Sequence, residues 1–154
     1  MGNMNAKPAV ILLADDDSGD QELTRRAFKK SLIKNELFVV NNGQAALDYL
    51  LRKGIYSDPL NSPTPDLFLL DLNMPKMDGR QVIEEIKKHP ELALLTIVVL
   101  STSKEEEDVI CTYKLGINSF ITKPIDFAEF IRIIQAICHY WFEIVALPPQ
   151  RKDH

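Results

Sequence analysis

Carboxylate, hydroxyl and amine side chains follow short apolar runs at four points along the chain. The acidic run 15–17 follows AVILLA, and Asp71 follows LFLL. Ser101 follows IVVL, and Lys123 follows SFIT. Such a combination of side chains has the types that metal-assisted phosphoryl transfer requires.

Aspartates that converge on one place predict a cation site. If Asp15 or Asp16 meets Asp71, the carboxylates repel one another, so the site needs a cation or a shared proton at neutral pH. Oxygen ligands without Cys or His favour a hard ion, with Mg²⁺ the usual intracellular choice. A carboxylate beside Mg²⁺ can attack a phosphoryl group, while Lys123 neutralises charge and the Ser101 hydroxyl donates to a phosphoryl oxygen.

Each of these features also has an ordinary structural explanation. An acidic run such as 15–17 is commonly a solvated turn or a helix cap, Lys123 before a proline is commonly part of a loop, and a lone Ser101 carries no signal. Asp71 is harder to explain in this way, because it ends a run that is typical of a buried strand. The conjunction of all four at strand ends favours the functional interpretation.

The apolar runs predict strands that are covered on both faces, as in a parallel sheet. They span residues 9–14, 37–40, 67–70 and 97–100, with a weaker fifth candidate at 119–122. Helical spacing separates them, over residues 18–28, 45–51, 82–88, 103–116 and 126–144. Ser18 and Gln21 form a candidate capping box for the first helix. Residues 53–65 are predicted as a long loop.

This alternation predicts an α/β doubly wound (βα)5 fold with right-handed crossovers. In the strand order 2-1-3-4-5, the first and third strands are neighbours, and ligands bind at the carboxyl ends of such strands. Asn42-Gly43 is also compatible with a hairpin, but the helical pattern after it favours a strand-to-helix turn.

Length and charge exclude several classes of protein. The 154 residues predict one domain over 1–147, with an extended C-terminal helix and a polar tail over 148–154. A net charge of −4 without a dense basic block argues against nucleic-acid binding. Cys111 and Cys138 lack metal-ligand spacing, and no apolar stretch is long enough for a membrane span. We therefore expect a cytoplasmic protein.

Four segments over about residues 8–144 match a known pattern, in the order ILLADDD, LFLLDLNMPKMDG, VVLSTS and FITKPID. Together they resemble the receiver domain of two-component response regulators, which has the flavodoxin-like CheY fold. The resemblance implies that Asp71 is the phosphoacceptor and Asp16 a direct Mg²⁺ ligand. It also implies that Asp15 binds the Mg²⁺ ion through a water molecule and that Asn73 binds it through its backbone carbonyl.

The same resemblance implies a switch. Ser101 would be the hydroxyl that follows the phosphoryl group, Lys123 the phosphate-pairing cation, and Phe120 the aromatic ring that changes rotamer with them. Thr102 departs from the family pattern, which has a small apolar residue there, and it could narrow access to the phosphoryl group.

The long loop and the ending WFEIVALPP resemble, more narrowly, the regulators paired with cyanobacterial and bacterial phytochrome histidine kinases. This implies a sensor histidine kinase of the phytochrome type as phosphodonor and an unidentified protein as the downstream partner. We expect signalling by protein contact rather than an enzymatic output, with a shuttle to a phosphotransfer protein as the alternative.

Two other functions share elements of this pattern. A flavodoxin-like electron carrier would need a phosphate-binding loop after the first strand, where this chain has three negative charges. A phosphatase of the haloacid dehalogenase type would need a second aspartate two residues after Asp71, where this chain has Asn73.

The C-terminal helix carries two apolar stripes, whereas a helix that covers one sheet needs only one. The first stripe comprises Phe127, Phe130, Ile131, Ile134, Cys138, Trp141 and Val145. The second comprises Ile133, Ile137, Tyr140, Ile144 and Leu147. An exposed second stripe favours a twofold homodimer, with a folded-back tail as the alternative cover.

Overall fold

A computed structural model describes residues 8–31, 34–72, 74, 76–101, 119–122 and 126–139. The strands are β1 (Ala9–Ala14), β2 (Asn35–Val40), β3 (Leu67–Asp71), β4 (Thr96–Ser101) and β5 (Ser119–Thr122). The helices are α1 (Ser18–Lys29), α2 (Gly43–Leu50), α3 (Gly79–Lys87) and α4 (Phe127–Cys138). Two 3-10 helices span Gly54–Tyr56 and Pro90–Leu92. The helix predicted over 103–116 lies outside the described residues.

All five strands pair in parallel in the order β2-β1-β3-β4-β5, as the sequence predicts. Helices α2 and α3 cover one face, where Leu12, Phe68 and Val99 are buried. Helices α1 and α4 cover the other face, where Leu13 and Leu69 are buried. Because both faces are covered, neighbouring residues of one strand are buried on opposite sides, which explains the uninterrupted apolar runs.

The helix starts differ in part from the prediction. The capping box predicted for Ser18 and Gln21 is wrong, because Asp17 is the N-cap of α1 and its Oδ1 accepts from the N–H groups of Gly19 and Asp20. Asp17, Ser18 and Gly19 are all of types that cap helices, and their order alone does not show which of them is the N-cap. A capping box does occur at α3, between Asp78 and Gln81.

The turn after β2 leads into a helix, so the strand-to-helix prediction is confirmed and the hairpin alternative is excluded. The Asn42 Oδ1 atom accepts from the Ala45 N–H at 2.8 Å and caps α2. Capping at this point places Gly43 at the first position of the helix, on the carboxyl side of the sheet.

The predicted long loop between α2 and β3 is present and is held by side-chain hydrogen bonds. The Tyr49 hydroxyl donates to the Pro63 carbonyl oxygen at 2.8 Å, and Arg52 Nη2 donates to Thr64 Oγ1 at 2.9 Å. The Tyr49 ring also lies 5.4 Å from the Tyr56 ring, between centroids. Burial raises the pKa of Tyr49 above its usual value, which widens the pH range over which the hydroxyl stays protonated and can donate.

None of the helices within the described ranges is long and apolar enough to cross a membrane.

Candidate functional site

Three aspartates meet at the carboxyl ends of β1 and β3. Ala14 pairs with Leu70, so Asp15, which directly follows β1, and Asp71, the last residue of β3, lie side by side at this edge of the sheet. Asp15, Asp16 and Asp71 each offer a carboxylate oxygen, and these oxygens all lie within 4.8 Å of one another. We call these three residues the acidic cluster. The convergence that the sequence predicts is therefore present.

Burial differs among the members of the acidic cluster. Asp15 and Asp71 are buried and Asp16 is exposed. The backbone N–H of Asp17 donates to Asp15 Oδ1 at 2.9 Å and orients that carboxylate. The Asp17 side chain instead caps α1, where it accepts hydrogen bonds from backbone N–H groups of the first turn. The acidic run therefore divides, with two residues in the acidic cluster and one in the helix cap.

The acidic cluster has the donor set of a hard divalent cation. Its ligand atoms are carboxylate oxygens alone, without a thiolate or an imidazole, which favours Mg²⁺ or Mn²⁺ over softer metals. Burial of two neighbouring carboxylates is unfavourable unless their charge is compensated. A bound cation would supply that compensation, so the residues present fit such an ion.

Ser101 lies at the same end of the sheet. It is the last residue of β4, and it follows Leu100, which pairs with Asp71. Its side chain is buried. The sheet therefore places the Ser101 hydroxyl beside the strand end that carries Asp71, as the sequence predicts.

The structure describes the remaining predicted site residues only in part. Phe120 lies in β5 opposite Val99, although its side chain is not described. Ile133 lies on α4 and packs, partly buried, against the core. Ile137 also lies on α4, without a described side chain. Five predicted residues lie outside the described ranges, namely Asn73, Lys123, Tyr140, Ile144 and Leu147. Thr102 lies outside them as well.

Sequence reasoning missed a close backbone contact beside Asp71. A Cβ atom on Gly79 would lie 2.8 Å from Leu72 Cα and 2.9 Å from the Asp71 carbonyl oxygen. The Gly79 N–H donates to the Leu72 carbonyl oxygen at 3.0 Å. The Asp78-Gly79 pair at a helix start was the available signal, but it does not show what the glycine faces.

The family model for the response regulator receiver domain matches residues 11–135. The chain belongs to this family. Response regulator Rcp1 from Synechocystis sp. is 42% identical over 148 residues, which cover 96% of this chain and 99% of that protein.

Two solved structures are similar over nearly the whole chain. The phosphorylated cyanobacterial phytochrome response regulator RcpA is 38% identical with a TM-score of 0.82, covering 93% of this chain and 100% of that one. The Mn²⁺-bound form of Rcp1 is 43% identical with a TM-score of 0.80, covering 92% and 100%.

These findings confirm the receiver fold, the likeness to phytochrome response regulators and a role in phosphorylation-dependent signalling. The matched range contains the whole acidic cluster, and receiver domains bind a divalent metal ion at an acidic pocket. Membership of this family decides against the flavodoxin-like carrier and the haloacid dehalogenase phosphatase.

Proposed function

We propose that Asp71 accepts a phosphoryl group from a sensor histidine kinase of the phytochrome type, with Mg²⁺ at the acidic cluster. The observation that carries the proposal is the set of three carboxylate oxygens within 4.8 Å at adjacent strand ends. Asp16 and Asp71 are the direct ligands in this proposal. Asp15 acts through a water molecule, and Asn73 contributes its backbone carbonyl.

In the proposed reaction, an Asp71 carboxylate oxygen forms a bond to phosphorus. The bond from phosphorus to the donor's histidine nitrogen breaks, and the electron pair leaves with that nitrogen. Bound Mg²⁺ neutralises charge on the carboxylates and on the phosphoryl oxygens. Lys123 adds a second positive charge, and Ser101 donates a hydrogen bond to a phosphoryl oxygen. Burial of Asp71 limits the access of water to the product.

The signal then passes by protein contact in this proposal. Movement of Ser101 toward the phosphoryl group vacates space that the Phe120 ring fills, as a two-state packing switch. The pairing of β4 with β5 supports this route, because it places Phe120 beside the strand that ends in Ser101. The protein acts in the cytoplasm on an unidentified partner and transforms no external substrate. A shuttle role toward a phosphotransfer protein is the second candidate.

The phytochrome pairing rests on the named relatives. Rcp1 and RcpA match nearly the whole length of this chain, and RcpA is a phytochrome response regulator. We expect a phytochrome-type histidine kinase to phosphorylate this chain faster than an unrelated histidine kinase at equal concentration. Equal rates with both kinases would leave the phosphoacceptor assignment intact but would contradict the pairing.

The phosphoacceptor is tested by labelling with acetyl phosphate and Mg²⁺. We expect an acid-stable, hydroxylamine-labile phosphoryl group on the wild-type chain and only assay background on Asp71→Asn, because the amide is not a nucleophile. Asp17→Asn is the matched control, since asparagine also caps helices and Asp17 lies outside the acidic cluster. Undiminished labelling of Asp71→Asn would contradict the assignment.

The metal site is tested by thermal melts. A ligand at a hundred times its dissociation constant stabilises the folded state by about 2.7 kcal/mol, so Mg²⁺ should raise the melting midpoint of the wild type. Asp16→Asn should reduce that rise, whereas Asp17→Asn should leave it unchanged. A wild-type midpoint that does not respond to millimolar Mg²⁺ would count against the site.

We also propose a homodimer through the second stripe of the C-terminal helix, which comprises Ile133, Ile137, Tyr140, Ile144 and Leu147. In α4, Phe130 and Ile134 of the first stripe are buried against the sheet, whereas Ile133 of the second stripe is only partly buried there. Replacing Ile137 and Tyr140 with Asp should convert a dimer to a folded monomer in sedimentation equilibrium. A wild-type protein that is monomeric at high micromolar concentration would refute the dimer.

A further inference from the structure

We propose that the turn Asn41–Gly43, together with Gln21, positions the acidic cluster without contributing a ligand to it. We call Asn41–Gly43 the positioning turn. It follows the edge strand β2, and its side chains have no place in phosphoryl chemistry. It nevertheless contacts, on its two sides, the loop after β1, which carries Asp15 and Asp16, and the segment after β3, which follows Asp71.

The first contact joins the positioning turn to the loop after β1. Gln21 Nε2 donates to the Asp15 carbonyl oxygen at 2.6 Å and to Asn41 Oδ1 at 2.7 Å. Gln21 is buried, so water does not readily replace these two bonds. The Asp15 N–H also donates to the Val40 carbonyl oxygen at 3.1 Å. The main chain of Asp15 is therefore held on both sides by the end of β2 and by Gln21.

The second contact joins the positioning turn to the loop after β3. A Cβ atom on Gly43 would overlap the carbonyl oxygen of Met77 and would lie 2.8 Å from Val82 Cγ2. Met77 belongs to the short segment that links Asp71 to α3. The Asn42 cap fixes where α2 begins, so the first turn of that helix packs against this segment. Only glycine allows such an approach of the two backbones.

The two contacts together set the separation of the carboxylates. Asp15 and Asp16 lie in the loop that Gln21 holds, and Asp71 precedes the segment that Gly43 contacts. A shift of the positioning turn would therefore change the distance between ligands without changing any ligand. Residues of this supporting type commonly alter metal affinity by about tenfold or more when they are replaced.

The test compares metal affinity with stability, and it rests on the proposed metal site. Gln21→Met keeps a similar volume but removes both hydrogen bonds. Gly43→Ala forces the positioning turn away from the segment that contains Met77. Mn²⁺ titration calorimetry well below the melting midpoint should show affinities about tenfold weaker for both variants. The rate of labelling by acetyl phosphate at limiting Mg²⁺ should fall in parallel.

Two controls carry the same replacements at residues outside the positioning turn. Gln44→Met alters a glutamine whose Nε2 donates to Asp48 on the surface of α2. Gly54→Ala alters a glycine at φ +59° with open space around it, so it lowers stability without touching the acidic cluster. Both controls should bind Mn²⁺ as the wild type does.

The outcomes separate the two proposals. Absence of Mn²⁺ binding by the wild type would overturn the metal site itself. Wild-type affinity and labelling in both Gln21→Met and Gly43→Ala would overturn the positioning role, even if both variants melt earlier. If Gly43→Ala does not fold, Asn41→Ala with Gln21→Met decides the question, because a positioning role predicts weaker Mn²⁺ binding in each.

Discussion

The two ends of the sheet are built differently. At the carboxyl end, Asp15 and Asp71 are buried, and a Cβ atom on Gly43 or Gly79 would collide with neighbouring backbone. At the amino end, the connections into β3 and β4 expose large apolar side chains. Within the described part of the chain, the exposed large hydrophobic residues are Ile55, Leu60 and Leu94, and all three lie at this end.

The difference follows from what each end must do. A metal and phosphoryl site requires its ligands to be held within about 0.5 Å, so the loops around it pack against one another. The described connections at the amino end join a helix to the next strand, and the one before β3 is held by hydrogen bonds from Tyr49 and Arg52. Substitutions of the same chemical kind should therefore have unequal effects at the two ends.

Among substitutions at the two ends of the sheet, the largest effect is expected from Gly79→Ala at the carboxyl end, compared with Gly54→Ala at the amino end. At Gly79 the new methyl group meets backbone atoms at 2.8 and 2.9 Å, which cannot yield cheaply, so the free energy of unfolding should fall by about 1–3 kcal/mol. Labelling of Asp71 should slow as well. At Gly54 only the positive φ is unfavourable, which costs about 1 kcal/mol, and labelling should not change.

Urea denaturation and acetyl phosphate labelling of the same two preparations provide the measurement. Equal losses of stability together with equal labelling rates would contradict the difference between the two ends.

The sheet and the acidic cluster could be predicted from the sequence because both depend on local patterns. Four-residue and longer apolar runs indicate covered strands, and the charged residues directly after them must lie at strand ends. The position of Asp71 after LFLL is the clearest example. Residues 67–71 do form a strand, with Asp71 at its carboxyl end.

The contacts that support the site could not be predicted, because they join residues of different secondary-structure elements and turns, which only the fold brings together. Gln21 has the spacing of a capping residue, yet its side chain bonds Asp15 and Asn41 instead. The sequence shows that residue 43 is glycine, but only the fold shows that Met77 leaves no room for a Cβ atom. Local patterns do not carry this information.

A smaller, pH-dependent effect is expected from Asp66 at the amino end. Its Oδ2 atom accepts from the Val10 N–H at 2.8 Å, and its N–H donates to the Val10 carbonyl oxygen at 2.7 Å. Burial raises the pKa of this carboxyl group in the folded protein, and the Val10 bond offsets part of that rise. Its contribution to stability is therefore fully present below its unfolded pKa of about 4 and is lost as pH rises through the folded pKa.

Asp66→Asn keeps an acceptor for Val10 and removes the charge. The variant should be more stable than the wild type at about pH 7, and the difference should vanish toward about pH 3. Urea denaturation across this range measures it, with Asp58→Asn as the exposed aspartate control at the same end. A difference that stays constant with pH would show that ionisation of Asp66 is not the cause.

The smallest effect is expected from Leu60→Ala in the long loop. The Leu60 side chain is 89% exposed, so its removal should change the free energy of unfolding by less than about 0.5 kcal/mol. The loop does not need that side chain for its conformation, because the Leu60 N–H donates to Asp58 Oδ1 and the Ser62 N–H to the Asp58 carbonyl oxygen. Leu69→Ala makes the same change in the core and should cost about 2–5 kcal/mol. A loss above about 1 kcal/mol for Leu60→Ala would mean that another surface covers this side chain in solution, and the amino end would then be less tolerant than its exposure indicates.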